Sequence, residues 1–351
     1  MRFYIYLFTI LAVVSSCKKE TKDTGLPEKY GSGLYIVTDK GISFFYNDTV
    51  DNQVFKTVNN TTINNPKRIK FKGTKAYIAA DNYISTASVK TFEARGIISG
   101  FVNPVDFDFV GPDDRLFVVD KGDSRVKVVD IERMEITSDI ETGNITKPVF
   151  IVVNWYRSIV MNGGAEPDSL KDSTIIAIDY KDNLIPLADF MGSLKIGDNP
   201  NSAVWNGNVK VLCKGIYDPN NPIDNSESSF YNIEPWALEV YWNKTLNGIY
   251  NASNLIESPS SSMFYFLAEG GVYSMPKNAS STTQISNIES DVLLIRNERY
   301  TINDTTEALS DMLYLNDAEN YPNILYKYNL VLSSFTDTII VDGNVRDINF
   351  Y

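Results

Sequence analysis

One phrase of strand signals recurs along this chain, and its recurrence limits the fold more than any other property. A proline opens a short alternating strand, a tight turn follows, and then come a strongly apolar strand, a second tight turn and a third strand. NNPKRIKFKGTKAYIAADNYISTAS (64–88) has this form, with turns at Lys72-Gly73 and Asp81-Asn82. VNPVDFDFVGPDDRLFVVDKGDSRVKVVDIERMEI (102–136) repeats it, turning at GPDD and KGDS. It starts again at Pro148 (KPVFIVVNWYRSIVMNG, with TIIAIDY as third strand) and at Pro200 (PNSAVWNGNVKVLCKG, with WALEVYW as third strand). SSMFYFLAEGGVYSM (261–275) and residues 290–332 are weaker copies. The openings at Pro66, Pro104, Pro148 and Pro200 lie 38, 44 and 52 residues apart. Runs rich in Val, Ile, Tyr and Phe, separated by Asn, Asp, Gly and Pro, mark an all-β fold, and a period of forty-odd residues is that of one four-stranded blade. The best short helical stretch is TTEALSDML (305–313), read as one or two turns.

The two ends of the repeat region complete each other. GLYIVTDKGISFFYN (33–47) matches the second and third strands of the phrase but lacks a first strand before it. NVRDINFY (344–351) is that first strand. With openings near 66, 104, 148, 200, 260, 291 and 345, the pattern predicts a seven-bladed β-propeller over residues 33–351, its C-terminal strand completing the N-terminal blade. Closure of this kind removes the exposed sheet edges that an open array would carry. Trp205 and Trp242 fall in strand patterns, and Trp155-Tyr156 in a hairpin turn.

Residues 1–16 have the form of a signal peptide, with Arg2 before an apolar run, Phe3 to Val14, too short to span a bilayer. Ser15 and Ser16 lead into Cys17, the lipidation candidate, and residues 17–32 read as an acylated cysteine followed by a polar spacer. Acyl chains on Cys17 would tether a soluble domain to a membrane. Cleavage would leave Cys213 as the sole cysteine, so no internal disulfide is expected.

There is no histidine, which excludes Ser-His-Asp triads, Cys-His dyads and His-bearing zinc sites. A formal net charge of -12 argues against nucleic acid as a partner, because neutralising phosphates takes clustered Lys and Arg. No cofactor and no metal site is expected. DKGDS (120–124) alternates oxygens as a calcium loop does, yet it lacks the twelve-residue spacing and reads as hairpin-turn chemistry.

The phrases NPVDFDFVGPDDRLFVVDKGDSRVKVVD and NPKRIKFKGTKAYIAADNYISTAS resemble the blades of YncE-like propellers, with a Pro-led inner strand before a hairpin. Together with the cysteine motif at Cys17, the chain resembles surface propeller lipoproteins of Bacteroidetes. That resemblance implies an outer-membrane, lipid-anchored protein on the cell surface or the periplasmic face. It also implies a non-catalytic role: capture of a ligand, with cobalamin as the named possibility, or docking on a TonB-dependent transporter.

Loops between second and third strands share a face with the inter-blade connections, and loops on a rigid scaffold commonly carry function. They supply the candidate ligand-binding residues Asp39, Asp81, Asp120, Tyr217, Tyr231, Trp236 and Tyr321, with aromatic rings offering area plus a polar handle. Alternation in VDFDF sends Asp106 and Asp108 to the central channel, where Asp347 could join them around a cation or a polar ligand group. Two alternatives remain at this level. One is a carboxylate-based polysaccharide hydrolase or lyase, which needs two acids about 5–10 Å apart; the other is a structural envelope protein.

Overall fold

A computed structural model of the protein describes residues 28–111, 115–143, 146–164, 172–180, 188–303 and 306–351. The signal segment and Cys17 lie outside the described residues, as does most of the loop between 162 and 173. Among the described residues no helix is long and apolar enough to cross a membrane.

Seven four-stranded antiparallel sheets form the blades of a propeller, and in six of them the four strands are consecutive in sequence. The exception is blade 1, ordered Val345–Phe350, Leu34–Thr38, Gly41–Tyr46, Thr49–Asp51 from the axis outward. The tail strand runs antiparallel to Leu34–Thr38, with Ile348 opposite Ile36 and Asp347 opposite Val37. Tyr351 N–H donates to Gly33 O, and its ring packs edge-on against Phe71 of blade 2.

The blades are held by what lies between them. Second and third strands such as Leu34–Thr38 and Arg115–Asp120 are buried almost throughout, because each sheet is covered on both faces by neighbouring blades. Outer strands such as Glu135–Glu141 alternate between covered and solvent-facing residues. The core is accordingly divided into seven apolar clusters, each bridging adjacent blades. One of them joins blade 7 to blade 1, packing Met312, Leu325 and Ile339 on Leu34, Ile36, Val345 and Ile348. The loop into the tail strand is knitted to blade 1 as well. Asp342 accepts from Lys40 and Gln53, and Asp39 Oδ1 accepts from Asn344 N–H at 2.8 Å. Gly343 between them sits at φ +96, and a Cβ there would lie 2.4 Å from Asp39 Oδ1, so glycine is required.

Three local expectations are corrected. The described part of the expected helix is a strand: Thr306–Asp317 pairs with Leu293–Asn303 from Thr306 to Leu315, and tertiary pairing overrides the helix preference of Ala and Leu. The sixth blade opens at Ser253–Glu257, upstream of 260. Its register shifts between Ser253 and Ile256, and Asn254 has φ +51, which breaks the alternation that would have revealed it. In blade 5 the third strand is Ser229–Glu234, and WALEVYW supplies the turn and the fourth strand, Glu239–Thr245. A polar run, NSESS, leads straight into that third strand and conceals its start. A one-and-a-half-turn helix on which the sequence reading was silent, Val54–Asn59, joins blades 1 and 2 and buries Val54 and Phe55 in the cluster between them.

Ile348 is buried in the cluster that closes the ring. Ile348→Ala is therefore expected to cost about 2–4 kcal/mol, the range for buried Ile truncation, read as a lower urea midpoint at an unchanged m-value. A cost below about 0.5 kcal/mol, the scale of an inconsequential surface change, would contradict this packing.

Candidate functional site

The innermost strands surround the axis, and those of blades 1, 2 and 4 to 7 line a cavity of about 270 Å³. Their side chains obey one register. In NPVDFDF, Phe107 enters the core between blades while Asp106 and Asp108 turn the other way. In NPKRIKF the same positions are Arg68 and Lys70 around the core residue Ile69, and in NVRDINF they are Asp347 and Asn349 around Ile348. Blades 1, 2 and 3 thus place anion, cation and anion side by side.

The three channel acids do converge, and cations of the chain itself occupy the space between them. Arg68 Nη1 lies 3.1 Å from Asp347 Oδ1, and Arg68 Nε lies 3.4 Å from Asp106 Oδ1. Lys70 Nζ lies 3.2 Å from Asp106 Oδ1 and 3.9 Å from Asp108 Oδ2. The second oxygens hold backbone: Asp347 Oδ2 accepts Ile69 N–H at 2.9 Å, and Asp106 Oδ2 accepts Ile151 N–H at 3.1 Å. Ser202 Oγ accepts Leu255 N–H in the same manner from blade 5 to blade 6. These side chains hand one innermost strand to the next around the axis. Among the described residues no cluster of three or more Cys, Asp or Glu side chains is arranged to hold a metal ion.

Burial sets the protonation energetics. Loss of solvent pushes the Asp347 carboxyl above its ordinary value, against the pull of Arg68 and the Ile69 N–H. Asp108 is likewise raised, first by burial, with Lys70 opposing. Burial works against the charge of Arg68, but Asp347 and Asp106 outweigh it and hold the guanidinium above its usual range.

The candidate rim residues separate into three groups. Asp39, Asp81 and Asp120 lie on the connecting face, where each ties an incoming loop. Asp39 takes Asn344 N–H, Asp81 takes the Asn65 amide, and the fully buried Asp120 takes Val102, Asn103 and Gly122 N–H. Tyr217 and Tyr321 share that face. Tyr217 rests against Tyr250 with ring centres 5.1 Å apart, and Tyr321 is exposed at the head of the strand Tyr321–Asn329. Tyr231 lies within a strand and packs into the cluster between blades 4 and 5, so it is no rim residue. Trp236 belongs to the turn between third and fourth strands, which puts it on the opposite face, 60% exposed. There Arg157 stacks 4.9 Å from its ring centre, donates to Pro235 O and pairs with Asp179. The expectation that Tyr231 and Trp236 join the rim failed with the misplaced third strand of blade 5.

Sequence reasoning missed Arg68, Lys70, Lys67 and Arg346. The signal was available: Arg68 and Lys70 stand two and four residues after Pro66, as Asp106 and Asp108 stand after Pro104.

No protein-family model matches the chain, and no curated protein matches it. Solved structures do resemble it. A Bacteroides uniformis protein described as a "putative 6-phosphogluconolactonase" aligns with TM-score 0.65 at 12% identity, over 91% of this chain and 99% of that one. A functionally unknown protein from Desulfotomaculum acetoxidans aligns with TM-score 0.63 at 14% identity, over 91% and 99%. BamB from Moraxella catarrhalis aligns with TM-score 0.51 at 11% identity, over 90% and 88%. The chain is similar to these proteins in fold.

The raised Asp108 carboxyl makes a pH prediction. Because its folded-state value lies above the ordinary 3.8, its contribution favours folding below that pH and becomes a penalty as pH rises through the raised value. Asp108→Asn should therefore stabilise the protein at pH 7–8 and lose that advantage near pH 4, measured by urea unfolding at both pH values. Equal destabilisation at both would contradict the assignment.

Proposed function

We propose that this protein is a non-catalytic recognition propeller, anchored to the outer membrane through a lipid on Cys17, on the cell surface or the periplasmic face. It takes a ligand at the connecting face and channel mouth, or presents that face to a TonB-dependent transporter. The observation that carries this reading is the state of the channel acids. The arrangement expected of a carboxylate hydrolase is two acids free to act on a substrate. Asp106 is instead fully buried and committed to Ile151 N–H, Arg68 and Lys70, and Asp108 faces Lys70. Asp347 is bound to Arg68 and Ile69 N–H. Such groups hold the ring together beside a cavity whose wall includes Asn254, Asp291 and Arg346, at the connecting-face ends of their strands.

Cobalamin follows from the likeness to cobalamin-capturing surface lipoproteins. A corrinoid is far larger than a 270 Å³ cavity, so it would lie across the rim, where Tyr217 and Tyr321 offer aromatic surface. The full chain incubated with cobalamin is expected to elute from gel filtration as a pink complex with a raised melting point, since a ligand that binds only the folded state stabilises it. Separate elution without a thermal shift would remove cobalamin, and absence of any shift across sugars and other nutrients would remove the binding role. For the anchor, Cys17→Ser should move the protein from the membrane fraction to the soluble fraction, because the acyl chains supply the membrane affinity. Unchanged membrane association would contradict it.

A further inference from the structure

The cavity wall is mixed, with its cations on one side. Blades 1 and 2 bring Arg346, Arg68 and Lys70 to it, whereas blades 4, 6 and 7 bring Phe150, Leu255 and Leu294, interrupted by the polar Asn254 and the acid Asp291. Arg68 and Lys70 are already balanced by Asp106, Asp108 and Asp347. Arg346 is different. Its guanidinium donates to Asn65 Oδ1 and Pro66 O, which are both uncharged, and among the described residues no carboxylate pairs with it. Lys67 stands at the equivalent position of blade 2 and is likewise held by neutral oxygens, those of Asp81 O, Asn103 Oδ1 and Pro104 O. Its ammonium is pulled below the ordinary lysine range by burial, which outweighs the opposing pull of the nearby Asp81 and Asp120 carboxylates, with the positive charge of Arg346 adding a little. Of these two cations at the mouth of the channel, Lys67 has the Asp81 and Asp120 carboxylates near it, whereas Arg346 is held by neutral oxygens in a chain of net charge -12.

We propose that the channel cavity binds a small amphiphilic anion, a monocarboxylate whose head pairs with Arg346 and whose apolar body lies against Phe150, Leu255 and Leu294. Guanidinium matches a carboxylate in two parallel hydrogen bonds, a geometry an ammonium cannot offer. The apolar side removes the ligand body from water, and its non-directional attraction fits an aliphatic or aromatic tail. At about 270 Å³ the cavity falls just below the roughly 300–1,000 Å³ of sites for drug-sized ligands, which sets the scale of the ligand. A wholly polar anion leaves the apolar wall unused, and a neutral molecule leaves Arg346 without a counter-charge. The assignment rests on the channel mouth being a ligand site and adds the ligand's class.

The test is isothermal titration of the full chain with 3-phenylpropionate, 3-phenylpropanol and inorganic phosphate, repeated on Arg346→Gln and Arg346→Lys. Arg346 is exposed, so both variants should melt as the unaltered protein does. Saturable 1:1 binding of 3-phenylpropionate is expected, at least tenfold weaker for the alcohol and for Arg346→Gln, with Arg346→Lys intermediate. Equal binding of the alcohol overturns the anion class and leaves the channel as a ligand site. Phosphate binding as tightly as phenylpropionate overturns the amphiphilic class, and unchanged affinity in Arg346→Gln overturns the role of that residue. Binding by none of the three overturns the proposal outright, and the nutrient panel then decides separately whether the propeller binds anything.

Discussion

The pairing of Val345–Phe350 with Leu34–Thr38 is the contact on which the remainder of the structure depends. A blade is stable only when both faces are covered, so seven blades need seven interfaces, and the seventh exists only if the ends of the chain meet. The tail strand does this through three kinds of contact at once. Its backbone joins the ladder of blade 1, Val345 and Ile348 enter the cluster shared with blade 7, and Asp347 reaches Ile69 N–H in blade 2. Without it the Leu34–Thr38 edge would be left with unpaired backbone groups in a dry setting, at a cost of about 1–3 kcal/mol each.

The innermost circle adds a second, polar closure. Buried charges are costly unless paired, and here the pairing follows the repeat: Asp347, Arg68 and Asp106 occupy one register position in successive blades. The same alternation that hides Ile348, Ile69 and Phe107 between blades delivers these charges to the axis. Beyond blade 3 the register carries Phe150 and then Ser202, and the wall turns from paired charges to a mixture of apolar side chains with Ser202, Asn254 and Asp291. The asymmetry of the cavity is thus a consequence of which side chain each copy of the phrase places two residues after its opening.

This explains what could be read in advance. Blade number, the closing strand and the position of Asp347 on the cavity wall were legible because each depends on local alternation or on repeat spacing, whereas Asp106 and Asp108 are not among the residues lining the cavity. Blade 6 was misplaced because Asn254 at φ +51 breaks its alternation, and Trp236 was assigned to the wrong face because an unrecognised strand, Ser229–Glu234, reverses the chain once more. The partners of the acids were missed for another reason. Alternation within one strand places Asp106 on a face, whereas Arg68 and Lys70 belong to the preceding blade and become its neighbours only when the ring assembles.

Hydrogen exchange of backbone amides measures the ring closure most directly, since it reports opening strand by strand. If the two ends seal one sheet, amides of Val345–Phe350 and Leu34–Thr38 will exchange as slowly as those of the interior strands Arg115–Asp120 and Arg157–Met161, with the free energy of global unfolding. Rapid exchange of the tail strand while those interior strands stay protected would show a ring that stands without it, and would contradict the account.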